Sequence, residues 1–291
     1  MRADRPSSTA TLIAAATLFL ARDARMSHAV PAGAPPWCAA CLRAVSPLAL
    51  ALVQAVSHPA LRWAARLAER ATIPGLLLHF MLRKRWIEQA VRGALAGGCG
   101  QAVIVGAGFD TLALRLAPEF PEVLFVEIDH PATQRVKRAA VLENGFQARN
   151  LELVAADLAH RGLEDALAGS GFRPGERSVF VLEGLLMYLA DLEIAVIFGA
   201  LGALQSSGGR VVFTVMEPAN DGRSRFHNAT ALVTGLLSLW QEPFKSALAR
   251  GEAPQFLARF GYRMKDLAAA EHLESKGLPL AEGEILALAE R

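Results

Sequence analysis

From residue 84 onward the chain alternates short apolar runs with amphipathic stretches, and this alternation limits its fold more than any other feature. Ala102–Val105, Val123–Ile128, Leu151–Ala155, Ser178–Leu182 and Arg210–Met216 are dominated by Val, Leu, Ile and Phe, and each reads as a strand buried on both faces. Lys84–Ala96, closed by Gly97-Gly98, precedes the first run as a helix. Thr111–Ala117, Ala132–Asn144, Leu163–Ala168 and Asp191–Leu204 supply the helices between the others. Strand alternating with helix implies a parallel sheet with right-handed crossovers, whose ligands bind beyond the carboxyl ends of the strands, where strand order reverses. The tail reads as a helix at Gln255–Phe260 and two last strands at Tyr262–Asp266 and Glu284–Ala289, the final one antiparallel. The expected fold is therefore α/β, a Rossmann-like and mostly parallel sheet of about seven strands.

Before residue 84 the pattern differs. Pro31, Pro35, Pro36, Pro47, Pro59 and Pro74 cut apolar sequence into short helices such as Leu48–Val56 and Ala60–Arg70, because proline cannot continue a helix. Residues 1–83 read as a helical cap and 84–291 as the sheet domain, with a helical insertion near 219–250. The uncharged run Ala10–Ala21 is too short to span a bilayer. Ala32-Gly33-Ala34 has the form of a leader cleavage site, but Arg22, Asp23 and Arg25 intervene. The favoured reading is a helix packed on the protein and capped by Ser7, Ser8 or Thr9.

Thirty basic residues nearly cancel 28 acidic ones, so nothing points to a nucleic-acid partner. Three cysteines make no disulfide framework, and the default location is the reducing cytoplasm. Cys38 and Cys41 lack further ligands for zinc and read as small apolar residues on one helical turn; no metal is expected.

The strand ends carry the chemistry. Gly106-Ala107-Gly108-Phe109-Asp110 follows the first strand, Glu127-Ile128-Asp129 ends the second, Asp157-Leu158 follows the third and Glu183-Gly184 the fourth. An acid about 20 residues past the first glycine suits ribose hydroxyls. Each carboxylate alone reads as a helix cap or a solvated loop residue; four successive strand ends with acids do not. A dinucleotide turn would carry a third glycine where Thr111 stands, and Asp110 would repel a pyrophosphate. S-adenosylmethionine has ribose, adenine, a sulfonium and an amino acid head but no phosphate, and it suits this acidic rim better.

Together, QAVIVGAGFDTLALRL, VEIDHPATQRVK, AADL and VLEGLLMYL resemble the leucine carboxyl methyltransferase family and its bacterial relatives, over roughly Arg83 to Glu217, with an echo in PSSTATLIAAA. A D-P-x-A run expected in many bacterial relatives is missing. The resemblance implies a class I methyltransferase sheet and S-adenosylmethionine as cofactor. By it, Arg83 in RKRWIE matches the arginine that pairs with the donor's carboxylate, with nearby Arg85 as the substitute if the register is off by a turn. Gly106 and Gly108 match the turn against the donor, and Asp129 the ribose acid, with Glu127 as second candidate. Asp157 and Leu158 match the adenine pair, and Glu183 the acid near the amino acid head.

The reaction implied is direct displacement at the sulfonium methyl, giving an O-methyltransferase acting on a carboxylate or hydroxyl of an apolar small molecule. A carboxylate needs no general base, whereas a phenol or alcohol does. Tyr188 and His227 are the catalytic candidates, with Glu217 and His130 as other bases and His130 the more structural. The predicted helix Ala229–Trp240, together with the N-terminal segments, would cover the acceptor. The alternatives are a protein C-terminal carboxyl methyltransferase and a donor-binding module without turnover.

Overall fold

The apolar runs pair into one seven-stranded sheet in the order β3-β2-β1-β4-β5-β7-β6. The computed structural model describes residues 6–55, 58–230 and 244–291. The strands are β1 (Gln101–Val105), β2 (Leu124–Asp129), β3 (Leu151–Ala155), β4 (Ser178–Leu182), β5 (Arg210–Met216), β6 (Arg263–Ala268) and β7 (Glu284–Glu290). β1 to β5 pair in parallel, and β7 runs antiparallel to both β5 and β6. Strand order reverses between β1 and β4, which places the switch point at Gly106 and Glu183.

Alternate residues of each strand feed opposite layers. Val103, Val105, Val126, Ile128, Phe180 and Leu182 pack under α8 (Leu163–Leu167), α9 (Asp191–Leu204) and α10 (Ala253–Ala258). Ala102, Ile104, Phe125, Val179 and Val181 pack under α5 (Leu76–Ala96) and α6 (Leu112–Leu116). Burying each such Val, Leu or Phe contributes about 1.5–3 kcal/mol, so the interleaved run is what fixes strand register.

The cap consists of α1 (Ser8–Ala21), α2 (Ala34–Val45), α3 (Pro47–Ala55) and α4 (Pro59–Thr72). Ser7 caps α1 by accepting the Ala10 N–H at 3.2 Å, and its own N–H donates to Thr133 Oγ1, tying the cap to α7 (Pro131–Glu143). α2 carries the buried Cys38 and Cys41 on one turn, as the spacing predicts.

Sequence reading starts a helix at Lys84, yet α5 begins at Leu76 and runs unbroken for 21 residues between Gly75 and Gly97. The change in composition at 84 falls inside this helix, because no proline interrupts Leu76–Ala96 and its one glycine, Gly93, lies close to its C-terminal end. Cap and sheet thus share α5. The helix expected at Ala229–Trp240 lies almost wholly outside the described residues.

Candidate active site at the strand carboxyl ends

β1 ends in a turn that only glycine adopts without strain, with φ of 70° at Gly106 and 51° at Gly108. The N–H groups of Gly106 and Ala107 both donate to the Ile128 carbonyl, at 2.8 and 3.1 Å, which hitches the turn to β2. Asp129 then locks it from the side. Its Oδ2 accepts the Gly108 N–H at 2.5 Å and its Oδ1 accepts the His130 N–H at 2.7 Å. Burial raises the Asp129 carboxyl above the usual range, with those two N–H groups opposing the rise. Each oxygen keeps a lone pair for a further donor. Ala10 of α1 and Leu185 roof the turn: a Cβ on Gly108 would lie 3.1 Å from Ala10 Cβ, and one on Gly106 3.3 Å from Leu185 Cδ1.

A chain of charged and polar side chains runs under this rim. α5 supplies its basic members, His79, Arg83 and Lys84, and the strand ends supply the acids. His79 Nε2 lies 2.7 Å from Glu284 Oε2, and Arg83 Nη1 donates to both Glu284 oxygens at 2.9 and 3.1 Å. On its other side Arg83 holds Glu183, through Nε at 2.9 Å and Nη2 at 2.8 Å. Lys84 bridges Glu183 at 3.1 Å and Asp110 at 3.4 Å. Asp110 also caps α6 through the Thr111 and Leu112 N–H groups. Burial alone would raise the Glu284 carboxyl; the Arg83 cation and the hydrogen bond from His79 win and hold it at about 2.

The structure therefore gathers Gly106, Gly108, Asp129, Glu183 and the Arg83–Lys84 pair at the switch point. Asp157 lies one strand further out, half-buried, accepting the Ala159 N–H at 3.0 Å and 3.8 Å from His130. Leu158 packs against the sheet core. Glu127 does not reach the rim: it is fully buried 2.5 Å from Lys137. Arg85 turns away and donates to the His28 carbonyl. His130 caps α7 by accepting the Ala132 N–H through Nδ1, the structural role its place before Pro131 suggests.

Tyr188 sits in a 3₁₀ turn after β4, edge-on to Phe244 at 5.5 Å, in an apolar cluster with Met187, Met216, Ile73 and Phe226. His227 lies apart from that cluster. It is exposed at a polar cavity of about 480 Å³, lined also by Glu217, Arg250 and Glu271, with Nε2 3.2 Å from the Glu217 carbonyl. A carbonyl only accepts, so Nε2 carries the proton and Nδ1 is the basic nitrogen. Glu217 is paired with Arg250 at 3.1 Å.

Three members of the charged chain escaped sequence reading: His79, Lys84, adjacent to the expected arginine, and Glu284. The signal for Glu284 was a glutamate heading the otherwise apolar run ILALA. Among the described residues no group of His, Cys, Asp or Glu is placed to hold a metal, and no helix is long and apolar enough to cross a membrane.

The seven-stranded sheet with a glycine turn and an acidic rim at its switch point is the arrangement the sequence leads one to expect, and its relatives make the chain an S-adenosylmethionine-dependent methyltransferase. Residues 41–202 match the family model for leucine carboxyl methyltransferase, and the chain belongs to that family. A protein of Mycobacterium bovis named "Putative S-adenosyl-L-methionine-dependent methyltransferase" is 27% identical over 208 residues, covering 70% of this chain and 68% of the relative. A second protein of that name, from Mycobacterium sp. (strain MCS), is 36% identical over 121 residues, 41% of this chain and 49% of its own length. Among solved structures, an O-methyltransferase family protein from Burkholderia thailandensis aligns with a TM-score of 0.49 at 15% identity, over 81% of this chain and 61% of that one. Magnesium protoporphyrin IX methyltransferase from Synechocystis PCC 6803 aligns with a TM-score of 0.49 at 12% identity, over 74% and 86%.

Proposed function

We propose that the protein transfers the methyl group of S-adenosylmethionine to an oxygen of a small apolar acceptor. The observation that carries this is the set of carboxylates Asp110, Asp129, Asp157 and Glu183, each partly reached by solvent, standing after β1 to β4 on both sides of the switch point. The residues present fit the donor. Its amino acid head carries both charges, and the rim offers both signs: Lys84 and Arg83 for the carboxylate, Glu183 and Asp110 for the ammonium. The spare lone pairs of Asp129 suit ribose hydroxyls, Asp157 with Leu158 suits the adenine, and Gly106 with Gly108 lets the backbone approach. Bound there, S-adenosylmethionine supplies an electrophilic methyl group.

The protein's own share is positioning. Arg83, fixed by Glu284, orients Glu183, while the apolar cluster around Tyr188 excludes water from the acceptor side. The carboxyl group named as acceptor in the family's description favours oxygen as the nucleophile, and an ionised carboxylate asks for no base.

Calorimetric titration with S-adenosylhomocysteine, wild type against Asp129→Ala, tests the donor site. Weakening by about tenfold or more, about 1.4 kcal/mol, is expected. Unchanged affinity would remove Asp129 from the site. Methyl transfer from labelled donor to carboxylate and hydroxyl acceptors then tests the oxygen. Label on a nitrogen or carbon acceptor alone would refute it.

A further inference from the structure

α4 is built inside out. Its polar side chains face the protein: Arg62 donates to the Phe19 carbonyl at 2.6 Å, Arg66 pairs with the buried Asp23, and Glu69 accepts the Leu77 N–H at 3.0 Å. These three stand at i, i+4 and i+7, one helical row. The neighbouring row, Trp63, Leu67 and Arg70, faces outward, with Trp63 at 67% exposure and Leu67 at 50%. No residue of α4 is fully buried. Leu61 on the same helix is also exposed, as are Leu48 and Leu52 at i and i+4 on the preceding α3. A helix normally turns its apolar stripe inward, and single exposed leucines need no account. A tryptophan–leucine row outward on a helix held by its polar row does.

The charge around this surface is of one sign. From residue 24 to residue 68 the sequence contains Arg25, Arg43, Arg62 and Arg66 and no acid. The acids at either end of that stretch are occupied, Asp23 by Arg62 and Arg66, and Glu69 by the start of α5. Arg43 and Arg70 are exposed and form no ion pair among the described residues. A two-fold contact through this surface would set these arginines against a copy of the same stretch, which offers no free carboxylate to pair them.

We propose that α3 and α4 dock on an anionic lipid surface, with Trp63 and Leu67 entering the headgroup boundary and Arg70 meeting lipid phosphates. Tryptophan beside leucine and arginine on one exposed helical surface is the composition of an interfacial helix, and apolar burial adds to attraction for acidic headgroups. The enzyme thereby works at a membrane face without spanning it.

Co-sedimentation of the full-length protein with vesicles tests this. Equimolar phosphatidylglycerol–phosphatidylcholine vesicles should carry the protein down at least about tenfold more than phosphatidylcholine alone, and salt should reverse the binding. A Trp63→Glu, Leu67→Glu double variant should lose that binding while keeping its circular dichroism and melting midpoint. Arg70→Glu should weaken binding to the acidic vesicles only. Equal binding to both vesicle types, or none, overturns the proposal. So does a concentration-dependent dimer that the double variant abolishes, which would assign the surface to a protein contact instead.

Discussion

Arg83 on α5 and Glu284 on β7 stand 201 residues apart in the chain and meet at 2.9 and 3.1 Å in a site almost closed to solvent. Everything the rim does rests on that contact, because Arg83 also holds Glu183, and Glu183 holds Lys84. Removing Glu284 leaves a buried cation with half its partners. Glu284→Ala should therefore lower the unfolding free energy by roughly 3–5 kcal/mol, measured by urea denaturation.

The same carboxyl sets an acid limit. Its pKa is about 2 in the folded protein against an ordinary 4.5, so its stabilising contribution is complete above 4.5 and is lost as pH falls toward 2. Urea midpoints recorded across that range should fall more steeply for wild type than for Glu284→Gln. Parallel profiles would show that the pair does not govern acid unfolding.

Glu127 and Lys137 test the opposite sign. Burial pushes the Glu127 carboxyl up to about 7, with Lys137 pulling it down, so the folded chain keeps a proton that the unfolded chain sheds above about 4.5. Stability owed to this group falls as pH rises from about 4.5 to about 7. Lys137→Met should then cost more at pH 8, where Glu127 must bury a charge alone, than at pH 5, where it accepts a proton. The double change Glu127→Leu, Lys137→Met should be near neutral at both.

Asp129→Asn keeps the shape of the side chain but replaces an acceptor by an NH₂ group. Both oxygens of Asp129 face backbone N–H groups, at Gly108 and His130, so one N–H must then meet another donor. The amide should bind S-adenosylhomocysteine about tenfold more weakly, and the glycine turn should lose hydrogen-exchange protection. Affinity equal to wild type would mean that Asp129 serves the turn alone.

His227→Gln separates the acceptor classes. If the acceptor is a carboxylate, the variant should retain its rate, since no proton leaves the nucleophile. A phenol whose turnover falls by about 100-fold, with the acid limb of its pH profile removed, would place Nδ1 in proton transfer.

The sheet, the glycine turn and the acids that follow its strands were legible in the sequence because each is local. A buried parallel strand announces itself by an unbroken apolar run, and a turn of positive φ by its glycines. Cys38 and Cys41 on one turn and Ser7 at a helix start were readable for the same reason. The length of α5 was not, since its apolar first turns blend with the cap, and only the glycines at 75 and 97 bound it. Nor did local pattern separate Asp129 from Glu127. Both sit on one strand with their side chains to the same face, and only packing sends one to the rim and seals the other against Lys137. Arg83 was found by its motif, but its partners were not, because an ion pair across 201 residues leaves no trace in spacing. Likewise the sequence of α4 declares an amphipathic helix, and which row turns inward was settled by a buried aspartate, Asp23, waiting for arginine. Sequence alone determined the elements and the chemistry at their ends, since these follow from local sterics and periodicity. Tertiary structure decided the partners, since burial and charge compensation depend on what the rest of the chain brings alongside.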